Sequence, residues 1–114
     1  MKVFATLNAI LFASLMLVIS PLTRADDIPE FVLVIKDHTF QPAELTIPAG
    51  TKVRIIVDNQ DATPEEFESH ELNREKVIPG NSKAKIYVGP LEAGTYPFFG
   101  EFNQATCQGK LIVQ

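Results

Sequence analysis

The stretch Lys52-Val53-Arg54-Ile55-Ile56-Val57-Asp58 decides the fold. Val53, Ile55 and Val57 fall on one face and Lys52, Arg54 and Asp58 on the other, the period of two that a half-buried strand requires. Working outward, Phe31–Lys36 is an apolar, β-branched run of strand length, and Glu44–Ile47 is a second, bounded by Pro42 and by Pro48-Ala49-Gly50. Lys83–Val88, Thr95–Phe99 and Lys110–Val113 follow. Pro79-Gly80-Asn81, Gly89-Pro90 and the loop from Gly100 to Gly109 divide them. Short strands separated by turn residues at this spacing predict an all-β chain, a β-sandwich. Glu65–Lys76 breaks the rhythm. As a helix it would present Phe67, His70, Glu71 and Arg74, a poor core stripe. It reads as an acidic loop leading into a short extended stretch, with His70 and Leu72 on one face.

The 114 residues include 10 Lys and Arg, 14 Asp and Glu, and 46% hydrophobic residues, a globular composition without low-complexity bias. The apolar residues are unevenly spread. Val3–Ser20 is nearly all hydrophobic after Met1 and Lys2, and Thr23-Arg24-Ala25 places small residues where a signal peptidase needs them. Residues 1–25 are therefore expected to be a secretory signal, cleaved after Ala25, with one domain over 26–114. An uncleaved anchor is the alternative, since the stretch reaches the lower limit for a span. Either way the domain is expected outside the cytoplasm, and after cleavage no stable membrane insertion is expected.

Cleavage would remove Lys2, Arg24 and both methionines, Met1 and Met16, leaving an acidic domain of net charge −6. That sign disfavours a nucleic-acid partner and an anionic membrane surface. Cys107 is the single cysteine. It has no partner within the chain, so it is an intermolecular bridge, a buried inert thiol or a metal ligand.

Phe40-Gln41-Pro42 with Leu45, Ile47 and Gly50, the polar turn Asn59-Gln60-Asp61, Gly94-Thr95-Tyr96-Pro97-Phe98 and Gly109-Lys110-Leu111-Ile112-Val113 together resemble the cupredoxins, small Greek-key sandwiches that hold copper. The resemblance covers nearly all of residues 31–114. His70-Glu71-Leu72 fits the family's first histidine ligand. Gly100, Asn103 and Cys107 stand where the family carries its cysteine, second histidine and methionine. A blue-copper centre needs two imidazoles and a thiolate around the metal, so none is expected. What the resemblance leaves as candidate metal ligands is His70, Cys107, Glu101 and Glu68.

The altered ligand set, Phe67–Lys76 and Gly100-Glu101-Phe102 are similar to the periplasmic cupredoxin-like proteins that accompany bacterial high-affinity iron permeases. This resemblance implies a periplasmic protein that binds a copper or iron ion and handles iron for an uptake system, with an iron permease or other uptake component as partner. Ferroxidase-like turnover is the most catalysis it implies. The chain shows no Ser/His/Asp arrangement, phosphate-binding glycine loop or paired metal-ligand motif. The competing expectation is a metal-free sandwich acting as a structural or docking accessory. In it Cys107 is a small buried hydrophobe, the glutamates are solvated and the aromatics Tyr96, Phe98, Phe99 and Phe102 are packing. His38 lies at a strand end away from the inferred site.

Overall fold

The computed structural model describes residues 27–114; the expected signal segment lies outside them. Nine strands form two sheets: β1 Glu30–Lys36, β2 Thr39–Gln41, β3 Glu44–Ile47, β4 Val53–Asn59, β5 Glu65–Ser69, β6 Arg74–Ile78, β7 Ser82–Val88, β8 Gly94–Gly100 and β9 Gln108–Val113. One sheet has the order β2-β1-β4-β7 and the other β3-β9-β8-β5-β6. The β1–β4 and β3–β9 pairs are parallel, so strands distant in sequence lie side by side in each sheet. Among the described residues no helix is long and apolar enough to cross a membrane. The all-β sandwich expected from the strand pattern is the one observed.

Alternation explains how the sheets close on each other. In β4, Val53, Ile55, Val57 and Asn59 are buried while Arg54, Ile56 and Asp58 are partly exposed. Leu33, Ile35, Ile86 and Val88 complete that inner face, and Leu45, Ile47, Phe67, Ile78, Phe98, Leu111 and Val113 come from the second sheet. Phe40, Phe67 and Phe98 form one aromatic cluster, with Phe98 centred 5.0 Å from each of the other two rings. Such contacts contribute beyond the area they bury. Phe102 does not join this packing and is 51% exposed.

Buried polar groups tie the sandwich at one end. Asn59, wholly inaccessible to solvent, donates from Nδ2 to the carbonyls of Thr63 and Ile78 at 2.9 and 3.1 Å, and accepts from the amide of Asp61. The Asp61 carboxylate in turn accepts from the amides of Asp37 and His38. Those two residues form the tight β1–β2 turn, both with positive φ (51° and 55°), as a two-residue hairpin loop demands. Asp61 and His38 are thus turn-forming groups.

The stretch 65–76 differs from its expectation. It is neither loop nor helix but the antiparallel hairpin β5–β6, with Phe67 opposite Lys76 and Glu68 opposite Glu75. The period of two is present but disguised, because two of the three inward positions, Glu65 and Ser69, are polar. Ser69 Oγ donates to the Pro97 carbonyl at 2.7 Å and accepts the Leu72 amide at 3.1 Å, which sets the turn at residues 70–73. His70 and Leu72 do not share a face: His70 is exposed and Leu72 buried.

Candidate metal centre

Strand alternation places Glu66 and Glu68 on the outer face of β5, and pairing with β6 sets Glu75 opposite Glu68 and diagonal to Glu66. Carboxylate oxygens of Glu66, Glu68 and Glu75 all lie within 4.8 Å of one another. On the other side β5 pairs with β8, Phe67 opposite Gly100. The next residue, Glu101, opens a 3-10 turn, Glu101–Asn103, and its carboxyl comes close enough to that of Glu68 to raise it. Four carboxyl groups therefore converge on one patch.

Their electrostatics follow from that crowding. Glu66 is pushed up to about 7, first by a hydrogen bond with Glu75, then by burial and by the charges of Glu75, Glu68 and Glu101. Glu68 is also raised, by burial, by its bond to Glu101 and by the neighbouring carboxylates, while His70 pulls it the other way. Like charges set directly opposite in a sheet repel; a shared proton or a bound cation relieves them. Beside the patch, Glu68, Ser69, His70, Asn73, Arg74 and Glu75 line an open cleft of about 200 Å³.

The inner face of β5 carries a different set. Glu65 is 1% exposed. Its Oε1 accepts from the amides of Phe102 at 2.8 Å and Glu66 at 3.0 Å, and its Oε2 from Asn103 Nδ2 at 2.6 Å. Cys107 is fully buried beside it. A Cβ built on Gly100 would lie 2.7 Å from both Cys107 Sγ and Glu65 Cδ. Burial, with the negative charges of Glu65 and Asp61, pushes the Cys107 thiol up to about 12.

The four expected ligands divide accordingly. Glu68 and Glu101 meet in the patch, and His70 stands at its rim, its ring 5.6 Å from that of Phe99. Cys107 lies inward, against Glu65. Glu66 and Glu75 were not singled out as ligands; the pairing register of β5 with β6 would have revealed them, but the acidic stretch did not read as a hairpin.

The donor set does not fit a blue-copper centre. Gly100 offers no side chain, the amide of Asn103 is committed to Glu65, and the thiol is buried beside Gly100 and Glu65.

Fold and site together define a two-sheet sandwich in which the loop between β8 and β9 closes over a buried carboxylate. A family model of the cupredoxin-like domain matches residues 9–113, and the chain belongs to that family. It is 47% identical over 88 residues to the uncharacterized protein RP394 of Rickettsia prowazekii (strain Madrid E), covering 77% of this chain and 70% of that one. The metal-binding domain of the Cu(I)-exporting P-type ATPase CopA of Streptococcus pneumoniae D39, solved with Cu(I), superposes with a TM-score of 0.65 at 17% identity, over 81% of this chain and 91% of that domain. Auracyanin A, a blue copper protein of Chloroflexus aurantiacus, gives 0.64 at 18% identity, over 75% and 98%. At these identities the structural likeness is one of fold.

Proposed function

We propose that this protein binds an iron ion at the carboxylate patch of Glu66, Glu68, Glu75 and Glu101 and serves an iron-uptake system in the periplasm. The observation that carries the reading is the approach of three carboxylates to within 4.8 Å, joined by Glu101 through Glu68. An all-oxygen, anionic donor set suits a hard cation such as Fe(III) better than Cu(I), which prefers sulfur and imidazole. The raised value of Glu66 supports it further: the metal-free patch keeps a proton where a cation would put positive charge. His70 at the rim adds one nitrogen donor within the same neighbourhood. The sequence resemblance to proteins accompanying iron permeases supplies the expected compartment and partner.

The test is elemental analysis of protein purified from periplasm without chelator, together with titration by Fe(III)-nitrilotriacetate. The expected result is one iron per chain, lost in Glu68→Gln and Glu75→Gln, with Cys107→Ser still loading. Iron-free protein that takes up none on titration, with normal iron-limited growth of cells carrying Glu68→Gln, would favour the metal-free docking accessory instead.

A further inference from the structure

Glu65 is a buried carboxylate that the patch does not include, and taking such a group out of water is costly unless hydrogen bonds replace the solvent. Two of its three bonds go to residues immediately after Glu101: the Phe102 amide at 2.8 Å and the Asn103 side chain at 2.6 Å. Immediately before Glu101, the Gly100 amide donates to the Cys107 carbonyl at 2.7 Å, and the Cys107 amide returns to the Asn103 carbonyl at 2.8 Å. Glu101 is thus bracketed by fixed backbone on both sides. Its own side chain is steadied by Gln104 Nε2 at 3.1 Å and meets Glu68.

We infer that Glu65, from the inner face of β5, is a positioning residue for the metal centre: it locks the 3-10 turn so that Glu101 is delivered to Glu68 on the outer face. The inference rests on the reading of the patch as an iron site. One strand then serves with both faces. Residue 65 holds the turn from within, while residues 66 and 68 meet the turn's first carboxyl from without. Gly100 is required by the same closure, because any Cβ there would collide with Glu65 and Cys107. The donors to Glu65 are neutral amides. Glu65→Gln can therefore keep the lock, its oxygen accepting from the Phe102 amide and its NH2 donating to the Asn103 oxygen once that amide rotates, whereas Glu65→Leu leaves the Phe102 amide and the Asn103 NH2 without their acceptor and should open it.

The experiment is a double-mutant cycle on the full protein, read by the affinity for Fe(III) from Fe(III)-nitrilotriacetate, with circular dichroism confirming the fold. Supporting groups around a metal typically change affinity 10–100-fold, so Glu65→Leu should weaken binding by about tenfold or more. Adding Glu65→Leu to Glu101→Gln should weaken it no further than Glu101→Gln alone. Glu65→Gln, which keeps the bonds, should retain most of the affinity, and it remains informative if Glu65→Leu alone folds poorly. Unchanged affinity in Glu65→Leu, an effect that persists in the Glu101→Gln background, or a loss in Glu65→Gln as large as in Glu65→Leu overturns the inference and leaves the iron reading standing. Wild-type protein that binds no Fe(III) overturns the iron reading itself, and the inference with it.

Discussion

Cys107 shows how far a residue's role depends on what folds over it. Its sulfur sits in full burial beside a carboxylate, and both raise its value, to about 12. A thiol raised above its unfolded value stabilises the fold at any pH below the ordinary range near 9, and that contribution is lost as pH climbs toward 12. At pH 8 the native protein should therefore resist iodoacetamide, while the urea-unfolded chain is alkylated within minutes; mass spectrometry distinguishes the two. Equal labelling of both would show that the sulfur is accessible. Gly100→Ala tests the same packing from the other side. Its methyl would press on Cys107 and Glu65, and overpacking of this kind costs about 1–3 kcal/mol, measurable by urea denaturation. The sequence displayed Cys107, His70, Glu68 and Glu101 as chemically suited residues. It left open whether Cys107 is a buried thiol or a ligand, because Gly100 and Glu65, which lie against it, come from other strands.

The β5–β6 hairpin is the element on which the candidate site depends, and the one the sequence hid best. Strands around it were legible because Val53, Ile55, Val57 and their counterparts alternate with polar residues. In β5 the inward positions are Glu65, Phe67 and Ser69, and hydrogen bonds rather than hydrophobic burial satisfy two of the three. A pattern read from hydropathy has no handle on that substitution. The hairpin also carries a pH signature. Glu66 is raised above its ordinary value, so its protonated form stabilises the fold fully below about pH 4.5 and this contribution disappears as pH rises through about 7. Metal-free protein should lose thermal stability between pH 5 and 8. Glu75→Gln, which removes the principal neighbour, should flatten that slope and raise the melting temperature at pH 8 with little change at pH 5. Parallel curves for the two proteins would show that the carboxylates do not interact.

At the scale of the whole molecule, two sheets are held by an apolar interior and by Asn59, whose side chain bridges from the end of β4 to the carbonyls of Thr63 and Ile78. Asn59→Ala removes the donor to those carbonyls and the acceptor of the Asp61 amide, a loss of about 1–3 kcal/mol, and should lower the urea midpoint while leaving the denaturant slope unchanged. β3 stands at the edge of its sheet and is tied to it through β9, which lies between β3 and β8, while Gln114 exchanges bonds with Ile47 and Ala49. Whatever loosens β9 therefore unfastens β3 as well, so this edge should open as a pair of strands and not one at a time.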